Sequence, residues 1–177
     1  RRVRRLAAVL TCCAVAACGG GDEVSADVPS DIDVTSSAFA HDEEIPVVYS
    51  CAGPNISPPL AWSGVPDDAR EVAVVVDDPD APRGTFTHWI LYGMPPSTSS
   101  LEENTVPANA KQAKNSAGRA AYAGPCPPSG THHYRFTVFA LDEPLDLSDA
   151  ADTDEALDAI SEHAVAQGQL VGLFTAR

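Results

Sequence analysis

At 177 residues, 44% of them hydrophobic, the chain is long enough to bury a real core and fits a single domain. Its 25 acidic residues outnumber 11 Lys and Arg, for a formal net charge of −14. That balance excludes nucleic acid and anionic membrane surfaces as general partners.

The first predicted element is an export signal. Arg1-Arg2-Val3-Arg4-Arg5 is a basic n-region, residues 6–17 are a short apolar run, and small residues lead to Cys18 and three glycines. Twelve apolar residues are too few to span a hydrocarbon core of about 30 Å as a helix. Val15-Ala16-Ala17-Cys18 resembles the lipobox of bacterial lipoproteins, which implies that Cys18 is the first mature residue and carries lipid; an ordinary signal cut nearby is the alternative. The expected layout is a signal peptide over residues 1–17, a flexible tether over 18–34 and one domain over 35–177. Removing residues 1–17 takes four arginines with it, moving the formal charge from −14 to −18. Of five cysteines, Cys12 and Cys13 leave with the signal and Cys18 is the lipid candidate, so Cys51 and Cys126 remain. In an exported domain two cysteines predict one disulfide. A zinc site is the other reading, although neither cysteine has a Cys-x-x-Cys or nearby His spacing.

Beyond the Gly-rich, then acidic tether, residues 45–49 (Ile-Pro-Val-Val-Tyr) predict a short strand. Pro58 and Pro59 allow residues 60–63 an extended edge but not a central strand. The apolar, β-branched run over residues 71–76 predicts a buried strand that delivers Asp77, Asp78 and Asp80 to its C-terminal end. Pro79 and Pro82 stiffen the turn that holds them. Residues 87–92 predict the next strand, with His88 on the face of Ile90 and Tyr92 by a period of two.

From Met94 to Ala121 the periodicity disappears, and Glu102-Glu103 there has a plain surface reading. Residues 122–134 form a proline-braced loop in which Gly124 and Gly130 allow special backbone geometry. A stiff, glycine-bearing loop can present N–H groups to an anion. Residues 134–141 predict a strand. Asp152 and Glu155 have capping-box spacing before a helical stripe of Ala156, Leu157, Ile160 and Ala164, with Gly168 as its stop. Residues 169–175 predict a last short strand. His41 and His163 lack acidic company and predict as surface residues.

Several motifs in order resemble the phosphatidylethanolamine-binding proteins, in particular their bacterial and archaeal Raf kinase inhibitor-like branch. They are Asn55-x-Ser-Pro-Pro-Leu-x-Trp62, Asp78-Pro-Asp-Ala-Pro82, Thr87-His-Trp89, Gly124-Pro-Cys-Pro-Pro-x-Gly130 and His132-His-Tyr134. The resemblance runs from about Phe39 to the C-terminal Gly-Gln-Leu-Val-Gly segment. It implies a mainly β fold of two antiparallel sheets with few peripheral helices, one near the C-terminus. It also implies a small anion-accepting pocket lined by Asp78, Pro82, His88, Gly124, Cys126, His132 and Tyr134. Where eukaryotic members have an arginine after the pocket histidine, this chain has His133.

Read chemically, Asp78 and Asp80 beside His88 and His132 favour cationic imidazoles, donors suited with the Tyr134 hydroxyl to a phosphate- or acetate-sized anion. His133, one position along, faces the other way. The first functional expectation is therefore a non-catalytic, lipid-anchored protein of the bacterial envelope. It would bind a small oxyanion or phospholipid headgroup and serve as inhibitor or scaffold for an unknown protein partner, without cofactor or metal. The second is a metal-dependent or acid–base hydrolase using Asp78, Asp80, His88 and His132, against which no Ser or Cys nucleophile has recognisable surroundings. The third is a structural envelope protein with a vestigial pocket.

Overall fold

The computed structural model describes residues 26–177. The expected signal peptide, the Cys18 lipidation site and the first part of the expected tether lie outside the described residues. In chain order the strands are β1 (Asp33–Thr35), β2 (Glu43–Glu44), β3 (Leu60–Ser63), β4 (Glu71–Asp78), β5 (Phe86–Met94), β6 (Ser100–Leu101), β7 (Lys111–Gln112), β8 (Thr131–Leu141) and β9 (Ala164–Thr175). One helix, α1 (Thr153–His163), lies between β8 and β9. They form a six-stranded sheet ordered β2-β9-β8-β4-β5-β7 and a three-stranded sheet ordered β1-β3-β6. Every pairing is antiparallel except β2 beside β9.

β4 is buried along its whole length because both faces of the larger sheet are covered. Val72, Val74 and Val76 join the core toward the small sheet, with Trp62, Trp89 and Phe136. Ala73 and Val75 turn to the opposite cluster, where Leu157 and Ile160 of α1 pack on Ile90 and Phe139. A strand sealed on both faces has no polar side to alternate with, which is why residues 71–76 carry an unbroken apolar run.

Several local expectations are corrected. Residues 45–49 are not a strand: the pairing is made by β2, and Val47–Tyr49 is a 3₁₀ turn. β3 is the centre of the small sheet, since its two prolines precede the paired residues. The part of the expected tether over 26–34 that is described is docked. Ile32 and Val34 are buried, Ile32 donates its N–H to the Gln167 carbonyl at 3.1 Å, and Val34 pairs with Trp62. Two apolar residues in an acidic stretch suffice to seat it.

That docking also reassigns Gly168, which does not stop the helix. α1 ends at His163, Ala164 opens β9, and a Cβ on Gly168 would lie 1.8 Å from the Ile32 carbonyl oxygen. Asp152 is the N-cap of α1 but makes no capping bond, because its carboxylate meets Lys114 Nζ at 2.6 Å. Glu103 is more than surface, accepting the Tyr49 hydroxyl at 2.6 Å. His41 and His163 each have an acidic neighbour, Asp42 at 3.5 Å and Asp142 at 3.0 Å. Cys51 and Cys126 are disulfide-bonded, with Cα atoms 5.4 Å apart.

Candidate ligand pocket

The acidic end of β4 meets β8 residue by residue. Asp77 lies opposite Arg135 in the ladder, and the guanidinium grips it through Nε and a terminal nitrogen, both at 2.7 Å. Asp78, one residue on, points to the other face, where its Oδ2 accepts His132 Nδ1–H at 2.7 Å. Both partners of this second pair are buried, their side chains 5% and 9% exposed. Asp80, in the turn, takes the exposed His133 through its backbone N–H at 2.8 Å and its Nδ1 at 2.7 Å. These His133 bonds hold the Asp80 carboxyl below the usual carboxylate range. Strand alternation on β8 thus sorts the two adjacent histidines, His132 inward and His133 outward.

His88 reaches the same site by a break in register. Val76 pairs with Trp89 but Asp77 pairs with Thr87, so β5 holds one extra residue at His88. A bulge of this kind re-aims a side chain. His88 therefore does not share the face of Ile90 and Tyr92, which pack under α1. Its ring sits between Phe86, at a centroid distance of 4.8 Å, and Tyr134, at 5.2 Å. His88 Nδ1 lies 2.5 Å from the Ala123 carbonyl.

The expectation of a cationic His88 is also overturned. Burial pulls its pKa below the ordinary value, and the Ala123 bond and the Asp78 charge oppose this without prevailing. At the base, the Tyr134 hydroxyl is sealed from solvent and has no hydrogen bond of ordinary geometry, although the Cys126 N–H and Asp78 lie near it. Burial first, then Asp78, pushes this phenol well above its usual range.

The remaining wall comes from two loops. Gly124 sits so close to residues 49–55 that a Cβ would lie 2.2 Å from the Tyr49 carbonyl oxygen. Its N–H goes to Asn55 Oδ1 at 2.8 Å, so this loop N–H is already used rather than offered to an anion. The Cys51–Cys126 bridge closes the rim beside it.

Together these groups enclose an open cavity of about 600 Å³, within the range of small-molecule sites. Of the predicted residues, Asp78, Pro82, His88, Gly124, Cys126, His132 and Tyr134 line it. Asp80 does not, because His133 draws it to the outer surface. Sequence reasoning missed Asn55, Arg83 and Phe86 as lining residues. Arg83 was findable: it follows the acidic turn directly and brings a permanent positive charge to the cavity. Among the described residues no three His, Cys, Asp or Glu side chains converge as a metal-ligand set.

Comparison with known proteins adds four findings. The family model described as phosphatidylethanolamine-binding protein matches residues 35–175. A UPF0098 protein of Methanothermobacter thermautotrophicus is 42% identical over 81% of this chain and 98% of its own length. A Mycobacterium tuberculosis protein named as a lipoprotein, LppC, is 41% identical over 91% of this chain and 90% of its own. Among solved structures, a phosphatidylethanolamine-binding protein homologue of Chlamydia trachomatis is similar, at 37% identity and a TM-score of 0.78. That alignment covers 84% of this chain and 99% of the homologue.

Proposed function

The chain belongs to the phosphatidylethanolamine-binding protein family, and from that premise we propose that it is a non-catalytic binding protein whose pocket takes the oxyanion head of a small molecule or phospholipid. One observation carries the reading: Asp78, His88, His132 and Tyr134 converge at the base of one cavity. His88 and His132 flank Tyr134, each anchored through Nδ1 and each with Nε2 unbonded. Both imidazoles are already held in place by Ala123 and Asp78, so little freedom is left to be lost on binding.

The layout that goes with this reading is a cleaved signal over residues 1–17, lipid on Cys18 and a binding domain at the envelope. A lipoprotein-named relative aligned over 91% of the chain supports the envelope setting.

The test is calorimetric titration with phosphate and with acetate at pH 6. The comparison variant carries His88→Asn and His132→Asn, which keep a donor near each Nδ1 position while deleting Nε2. Saturable one-to-one binding that is lost in this variant is expected. Absence of binding to the parent protein, or unchanged affinity in a variant shown to be folded, overturns the proposal.

A further inference from the structure

The charges that line the cavity are few, and one of them is free. Among the described residues that line it, Asp78 is the one carboxylate and Arg83 the one permanent cation. Asp78 is already occupied. Its Oδ1 accepts the Asp80 N–H at 2.8 Å, its Oδ2 accepts His132 Nδ1–H at 2.7 Å, and its side chain is only 5% exposed. Asp80, the next acidic residue, is held by His133 on the outer surface.

Arg83 is the opposite case. It is exposed, and it makes no hydrogen bond or ion pair with another described residue. The backbone beneath it is nevertheless fixed. Pro82 precedes it with a locked φ, Gly84 follows at a φ of +103°, and the Gly84 N–H closes the turn on the Ala81 carbonyl at 3.2 Å. A guanidinium without a protein partner, carried on a fixed turn, is a planar donor fork suited to phosphoryl or carboxylate oxygens.

A cationic group on the same ligand fares differently. It finds no free carboxylate in the cavity and meets Arg83 as a like charge, leaving it the neutral His88 ring and the Phe86 face. Taking an ammonium out of water without a paired anion costs free energy, and repulsion of this kind is how a site rejects a wrong partner. A proton added to either imidazole strengthens the bias.

We propose that Arg83 is the specificity-determining residue of the pocket, selecting phosphate heads of net negative charge over zwitterionic heads that carry an ammonium beside the phosphate. Phosphomonoesters and phosphodiesters both qualify, because the discrimination rests on the ammonium and not on the ester. This rests on the pocket reading above and narrows its ligand class.

The experiment is calorimetric titration at pH 8 with two pairs of probes, ethyl phosphate against phosphoethanolamine and glycerophosphoglycerol against glycerophosphoethanolamine. The second member of each pair carries the ammonium. The parent protein is expected to bind the anionic member at least about fivefold tighter. Arg83→Gln should abolish that preference by weakening the anionic member, Arg83→Lys should keep it, and Arg83→Glu should reverse it. Because Arg83 is exposed, these variants are expected to fold. Dihexanoyl-phosphatidylglycerol is titrated beside glycerophosphoglycerol. Both carry the same head, so both must weaken in Arg83→Gln, and the one bound tighter by the parent tells a lipid source from a soluble one. Equal affinity within either pair in the parent, or a preference that survives Arg83→Gln, overturns this inference and leaves the pocket reading standing. If the parent binds none of these probes and no inorganic phosphate, both fall.

Discussion

Among the described residues, the buried side-chain polar atoms without a hydrogen-bond partner are Thr87 Oγ1 and the Tyr134 hydroxyl. The two are chemically alike and differ in place, since Tyr134 lines the cavity and Thr87 does not. Thr87→Val removes an unsatisfied hydroxyl, keeps the β-branched shape that a strand favours, and is expected to raise stability by about 1 kcal/mol. Tyr134→Phe should bring a similar gain to the ligand-free protein but weaken phosphate binding about fivefold or more. Denaturant unfolding and calorimetry on both variants separate stability from binding. Unchanged phosphate affinity in Tyr134→Phe would remove the phenol from the site. At this scale the sequence was informative about which side chains meet, because Asp78, His132 and Tyr134 lie on regular strands or a proline-stiffened turn. It was misleading about His88. Its face depends on a one-residue bulge against β4, and its charge on how deeply that bulge buries it; neither leaves a trace in local periodicity.

β9 shows how one backbone position holds an element together. It runs antiparallel to β8 from Ala164 to Thr175, and its other edge is covered by residues that precede β1 and form β2. Gln167 is central to this, donating its N–H to the Pro29 carbonyl while its own carbonyl accepts the Ile32 N–H. The two chains can come this close only because residue 168 lacks a side chain. Gly168→Ala is expected to cost about 1–3 kcal/mol by overpacking. It should also release residues 29–34, read as new proteolytic cleavage there under native conditions. Wild-type stability together with wild-type protection would show that the segment docks without needing this approach. The long strands β4, β5 and β8 and the stripe of α1 were legible because their apolar spacing is regular over many residues. The docked segment and the full length of β9 were not, because each depends on the other across 130 or more residues of sequence, as the contact of Gln167 with Ala26 shows. A glycine seven residues before a strand's end carries the same letter whether it stops a helix or admits a neighbour.

For the whole molecule, the disulfide joins two loops that lie far apart in sequence. Cys51 lies in the turns before β3 and Cys126 in the loop before β8, 75 residues apart in sequence and both on the cavity rim. Cross-linking a loop of that length removes unfolded-state entropy worth about 4 kcal/mol in the chain-entropy account. Such bonds persist in oxidising compartments outside the cytosol, which agrees with the envelope setting proposed above. The bridge is not the wall's sole support. Cys51 N–H donates to the Pro125 carbonyl at 3.1 Å, Gly124 N–H to Asn55 Oδ1 at 2.8 Å, and the Tyr122 hydroxyl to the Tyr49 carbonyl at 2.9 Å. These contacts set the shape of the rim in the folded state, whereas the disulfide acts chiefly on the unfolded chain. Replacing both cysteines, Cys51→Ser with Cys126→Ser, should therefore lower stability by up to about 4 kcal/mol and leave phosphate affinity within about threefold at a temperature where the variant is still folded. Denaturant unfolding and calorimetry on the same samples test the division. A variant with nearly wild-type stability and no phosphate binding would reverse it, making the disulfide a shaping element of the pocket rather than a staple of the fold.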